Sequence, residues 1–133
     1  MKIETLEGIT HWLEQSGNLF EALMHELYLA NFGYSVHVGF QAIVRDSDGH
    51  VLDQSLDVGF DLEGVQKLVL EGGLTRAMLE HPERINWGLS EVARVRVTPS
   101  EHGVQFEALW EGGERRVEIH SRRAILTAPG DPL

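Results

Sequence analysis

The spacing of apolar residues changes from helical to alternating within the first third of the chain. Apolar residues recur about one helical turn apart from Ile3 to Leu13, which predicts a helix over residues 3–15. Residues 19–29 fit a helix or a strand, and the favoured interpretation is a turn or short helix leading into a strand. The sheet is therefore expected to begin after a helical N-terminal segment.

A β-hairpin is predicted where apolar and polar residues alternate. The alternation covers residues 34–44 and 51–61, and residues 47–49 between them suit a three-residue loop with glycine in the left-handed position. This loop pairs core residue with core residue, for example Phe40 with Leu56. The polar positions of the second strand are mostly aspartates, so an acidic outer face is expected.

Shorter elements and a second hairpin follow. A strand is predicted over residues 62–70, a helix over 74–81 and a strand over 93–97. In the last hairpin, a Gly-Gly turn pairs Ala108 with Val117. The same register sets two glutamates opposite each other, which is unfavourable unless an arginine lies between them; the glutamates are Glu107 and Glu118, and the candidate arginines are Arg94, Arg96 and Arg116.

These elements predict an α+β fold, mainly an antiparallel β-sheet with one or two short helices. Residues 1–127 are expected to form a single domain, followed by a flexible C-terminal tail at 128–133. The length of 133 residues fits one domain, and 42% apolar residues are enough to form a core.

Composition narrows the class of partner and the compartment. The chain has 21 acidic and 11 basic side chains, a net charge of −10, whereas nucleic-acid binding requires a basic surface. There is no cysteine for disulfides or thiolate sites, and no stretch is typical of a secretory signal or membrane helix. We therefore expect a soluble cytoplasmic protein with no nucleic-acid or membrane partner.

No residue spacing typical of a catalytic, cofactor or metal site is present. The seven histidines never fall in the His-x-His or His-Glu-x-x-His spacing. Asp46, Asp48 and Gly49 resemble the start of a calcium loop, but the closing glutamate is missing. No serine lies in a nucleophile turn. The expectation is a protein without catalytic residues, cofactor or metal.

The acidic excess belongs to the first half of the chain. Residues 1–75 have three basic and twelve acidic side chains, a net charge of −9, whereas residues 76–133 have a net charge of −1. Such a surface attracts a basic protein, although charge of this kind also serves solubility alone. The candidate partner-binding residues are the acids of the first hairpin and one tryptophan flanked by loop residues: Asp46, Asp48, Asp53, Asp57, Asp61, Glu63 and Trp87.

Three short segments resemble the small immunity proteins of bacterial polymorphic toxin systems, specifically immunity family 50 and its relatives. The segments are residues 19–22 (Leu-Phe-Glu-Ala), 62–68 (Leu-Glu-Gly-Val-Gln-Lys-Leu) and 85–89 (Ile-Asn-Trp-Gly-Leu). The first departs from the family pattern, because it lacks the histidine and has Glu21 in place of aspartate. The resemblance implies a non-enzymatic protein that neutralises a toxin, often a nuclease with a basic groove.

Two other interpretations remain open. A small-molecule-binding or enzymatic α+β domain would have a pocket between sheet and helix, lined by Trp87 or Trp110. A self-associating module would pair an edge strand across a homodimer axis.

Overall fold

An antiparallel sheet dominates the structure, which confirms the α+β class. The computed structural model describes residues 1–45, 47–72, 76–80, 92–110 and 115–129, with backbone alone for residues 43–45, 51, 53, 54, 77, 78 and 93. Two 3-10 turns, Gly17–Leu19 and Asn31–Gly33, lie among the regular elements. Those elements are β1 (Lys2–Ile3), α1 (Leu6–Gln15), β2 (Leu23–Ala30), β3 (Ser35–Arg45), β4 (Val51–Glu71), α2 (Arg76–Glu80), β5 (Val92–Ser100), β6 (Gly103–Trp110) and β7 (Arg116–Thr127).

Helix α1 begins three residues later than the apolar spacing predicts. Thr5 is the N-cap, and its hydroxyl accepts a hydrogen bond of 3.1 Å from the Gly8 amide. Ahead of the cap, Lys2 and Ile3 pair with the end of β7. The helix lays Ile9, Trp12 and Leu13 into the core; the expected strand follows as β2 after a 3-10 turn.

The sheet is ordered β2-β3-β4-β7-β6-β5, and its two ends meet. The Glu21 amide donates to the Val92 carbonyl at 2.9 Å, and the Val92 amide donates to the Ala22 carbonyl at 2.8 Å. The residues just before β2 therefore contact the first residue of β5. A curved sheet results, with its concave side filled by apolar side chains and by α1.

The pairing of β3 with β4 corrects the predicted register by two residues. Phe40 lies opposite Val58 rather than Leu56, although Arg45 still pairs with Val51 near the turn. β4 has two extra residues between these two regions of pairing, so a bulge moves the register by two. An even shift leaves every side chain on its predicted face, and Gly49 has the expected positive φ of 83°.

The strands predicted over 51–61 and 62–70 are one strand. β4 runs from Val51 to Glu71; its first part pairs with β3, residues 59–63 pair with both β3 and β7, and its last part pairs with β7 alone. Gly64, with φ of 70°, marks the bend, and the amides of Gly64 and Val65 donate to the Tyr34 carbonyl at 2.9 and 3.0 Å. The backbone groups at the bend are thus satisfied, and the strand continues through it.

The closing strands confirm the predicted pairing, while the predicted Gly-Gly turn, at residues 112 and 113, lies outside the described residues. Ala108 lies opposite Val117, as predicted. β5 extends to Ser100, so Pro99 lies within it; proline is tolerated there because β5 is at one end of the sheet order. A helix was predicted over residues 74–81, and α2 lies within this range. Residues 74, 75 and 81 lie outside the described part of the chain. Ala128, the first residue of the predicted tail, is buried and its amide donates to the Met1 carbonyl at 3.0 Å.

The core lies between the concave face of the sheet and α1. Phe60 is central to it, with its ring centroid 5.9 Å from that of Phe40 and 5.1 Å from that of Phe106. Among the described residues, no helix has both the length and the apolar character needed to cross a membrane.

Candidate functional site

The convex outer face of β2, β3 and β4 brings together a histidine, two carboxylates and a tyrosine. The registers of the three strands place Tyr28, His37 and Asp61 in one row across the sheet. Glu26 lies in the adjacent row. We call these four residues the His37 cluster.

The His37 ring is held at both nitrogens. Nδ1 lies 2.8 Å from Asp61 Oδ1, and Nε2 lies 3.0 Å from Glu26 Oε1. Tyr28 stacks on the ring, with centroids 4.9 Å apart and planes at 25°. A ring protonated at both nitrogens donates to both carboxylates, and even then the cluster keeps a net negative charge. In that protonation state His37 holds two acidic side chains at once, whereas a neutral ring donates to one of them.

Two glycines make room for the cluster. Gly39 and Gly59 lie opposite each other in β3 and β4. A Cβ atom on Gly39 would lie 2.6 Å from Glu26 Cγ, and one on Gly59 would lie 3.0 Å from His37 Cε1. Side chains at these positions would displace the carboxylate or the ring, so the glycines are part of the site.

Three of the acids predicted to bind a partner follow one another on the outer face of β4. Asp57 is exposed and has no ion-pair partner among the described residues. Asp61 belongs to the His37 cluster, and Glu63 accepts from Arg123 Nη2 at 2.7 Å. Asp48 is exposed in the β3–β4 turn.

Of the remaining predicted site residues, one is described by its backbone and two lie outside the described part of the chain. Asp53 is described by its backbone alone, within β4, and Asp46 and Trp87 lie outside the described residues. Conversely, Glu26, Tyr28 and His37 were not predicted as site residues. The signal that finds them is the true β3–β4 register, which sets His37 opposite Asp61.

On the outer face of β5, β6 and β7, glutamates form ion pairs with arginines. Glu107, 8% exposed, receives hydrogen bonds from Arg96, which confirms that an arginine compensates the facing glutamates. Arg116 donates to Glu118 Oε1 at 2.9 Å, so a second arginine contributes. The His120 hydrogen bond is the main cause that lowers the pKa of Glu118, with Arg116 adding to it against the effect of burial. The hydrogen bond to Glu71 is the main cause that raises the pKa of Arg116.

The His37 cluster keeps its two carboxylates apart. Its two carboxylates lie at opposite nitrogens of one ring, so their oxygens do not converge on one point. Accordingly, no group of three or more His, Asp or Glu side chains in the described ranges is arranged to hold a metal ion. Both ring nitrogens are engaged, so the ring as placed here offers neither of them to a substrate.

No protein-family model matches the chain, and no curated protein matches it.

Proposed function

We propose that this chain is a binding protein that presents the acidic outer face of β2, β3 and β4 to a basic protein partner. The observation that carries the proposal is the His37 cluster, in which the two nitrogens of one ring lie within hydrogen-bond distance of the carboxylates of Glu26 and Asp61. Asp57 extends the acidic surface along β4, and Glu63 borders it as a carboxylate paired with Arg123. The charge is thus concentrated on rigid strands.

Rigidity matters because association restricts side chains. A carboxylate already held by a hydrogen bond loses less freedom on binding than a free one, so more of the electrostatic attraction remains as affinity. Opposite charge also accelerates the encounter of the two proteins. The compensated half of the outer face, around Glu107 and Arg116, contributes little to such attraction.

The resemblance to small immunity proteins supports a more specific proposal. The partner is a nuclease-type toxin, and the acidic face occupies the basic groove that the toxin uses for nucleic acid. The chain would act in the bacterial cytoplasm, where it protects the producing cell. In this proposal the acidic outer face, rather than a catalytic group, performs the function.

Co-expression with the product of the adjoining reading frame tests the proposal. We expect the two chains to purify as one complex, and we expect this chain to restore growth of cells that make the neighbouring product. Asp57→Lys should weaken both effects, whereas Glu14→Lys makes the same charge change at an exposed position of helix α1 and should not. Failure to form a complex, or equal effects of the two variants, would contradict the proposal.

A further inference from the structure

The turn between β2 and β3 displays an aromatic side chain in water. Asn31, Phe32 and Gly33 all have positive φ, at 53°, 58° and 90°, and the Phe32 side chain is fully exposed. Leu29 and Tyr34 beside it are also more than half exposed. We call these three apolar side chains, Leu29, Phe32 and Tyr34, the hairpin tip.

The turn is fixed at several points. The Tyr34 amide donates to the Asn31 carbonyl at 3.1 Å, and Asn31 Nδ2 donates to Ser35 Oγ at 3.4 Å. The Tyr34 carbonyl accepts from the Gly64 and Val65 amides in β4. The backbone of the turn is therefore hydrogen-bonded to the sheet, whereas the Phe32 ring remains fully exposed.

The hairpin tip adjoins the acidic face. Tyr28, half exposed, lies one residue before Leu29 and stacks on His37, which holds Glu26 and Asp61. Leu29 is on the opposite face of β2 from Tyr28, since it pairs with the buried Val36. The turn that carries Phe32 and Tyr34 instead follows the next outer row, Ala30, Ser35 and Glu63, so it adjoins the acidic face where β2 and β3 meet. Binding energy in protein interfaces concentrates in a few such aromatic residues, surrounded by polar ones that complement the partner.

We propose that Phe32 is the anchor of a protein-binding surface and enters an apolar pocket bordered by lysine or arginine on a basic partner. This inference rests on the proposed function, and charge complementarity selects the occupant. A second copy of this chain fits poorly, because its own acidic face and its net charge of −10 would repel the first.

Selection from a displayed library of random peptides tests the anchor without the natural partner. Peptides enriched on the wild-type protein should combine basic with apolar residues. They should bind Phe32→Ala at least about tenfold more weakly, since alanine removes the ring and keeps the backbone. Phe20→Ala removes another exposed phenylalanine, outside the hairpin tip, and should leave binding unchanged.

The outcomes separate the anchor from the proposed function. If basic peptides bind Phe32→Ala as tightly as wild type, Phe32 is not the anchor, while the proposal that the acidic face binds a basic partner still stands. If binding of the selected peptides requires Phe32 but the peptides lack basic residues, the inference that the partner is basic is overturned. A library that yields no Phe32-dependent peptide overturns the anchor. A concentration-dependent dimer in light scattering that Phe32→Ala abolishes assigns the hairpin tip to a second copy and overturns the inference.

Discussion

At the scale of single residues, the outer face depends on two positions that have no side chain. Gly39 and Gly59 leave the space that Glu26 and His37 fill. In an alternating strand, glycine weakens packing and is disfavoured, so its presence at two facing positions indicates a close approach by other groups. Here the groups are a carboxylate and an imidazole on the solvent side.

Gly39→Ala should detach Glu26 from His37. The new Cβ would lie 2.6 Å from Glu26 Cγ, so the carboxylate side chain must move. The free energy of unfolding should change by less than about 1 kcal/mol, because the lost pair is partly exposed. The His37 ring resonances, measured by NMR, should shift clearly.

Ser55→Ala provides the matched control for that experiment. Ser55 is exposed in the same strand as Asp61, and its replacement by alanine adds no atom near the ring. Its His37 resonances should remain at the wild-type positions. Unchanged resonances in Gly39→Ala would show that Glu26 does not hold the ring.

At the scale of elements, bulges decide which side chains meet. The β3–β4 bulge shifts the register by two, and a pattern of alternation is the same before and after such a shift. Sequence alternation therefore predicted the faces correctly and the partners wrongly. With Phe40 opposite Leu56, His37 would have faced Gly59 instead of Asp61, so the cluster was not visible in the sequence.

A bulge in β2 prevented the sequence pattern from predicting how β2 contributes to the site. Pairing with β3 shifts between Met24 and Glu26, so Met24 and Leu27 both contact the core although they are three residues apart. That spacing is typical of a helix, which is why residues 19–29 fitted two interpretations. Asp57, Asp61 and Glu63 were predictable as surface acids because no bulge lies within that part of β4.

The charge network of β4, β6 and β7 predicts that the free energy of unfolding decreases at acid pH. The pKa of Glu118 is lower in the folded chain than its ordinary value of 4.5, mainly through the His120 hydrogen bond. The folded state then binds fewer protons than the unfolded state, so this stabilisation is complete above about pH 4.5 and is lost as the pH falls through the lowered pKa.

Glu118→Gln tests this dependence. The variant should be less stable than wild type at pH 7, and the difference should disappear as the pH falls below the lowered pKa, as measured by urea unfolding. Glu101→Gln, at an exposed turn position, should follow the wild-type pH profile. A difference between Glu118→Gln and wild type that persists at the lowest pH would rule out the carboxylate as its cause.

At the scale of the whole molecule, the net charge of −10 is unevenly distributed over one sheet. Arginines from the second half of the sequence neutralise the glutamates of β6 and β7. On the described part of the outer face of β2, β3 and β4, Arg123 pairs with Glu63, whereas Asp57 has no ion-pair partner. Folding thus turns a charge asymmetry along the sequence into an asymmetry between two surfaces.

The association rate with the co-purified partner, measured against ionic strength, tests the acidic face most directly. We expect wild type to bind fastest at low salt and to slow steeply as salt rises, and we expect Glu14→Lys to behave in the same way. Asp57→Lys should associate at least about threefold more slowly at low salt, with a flatter salt dependence. Equal rates and equal salt dependence for Asp57→Lys and wild type would contradict binding through this face.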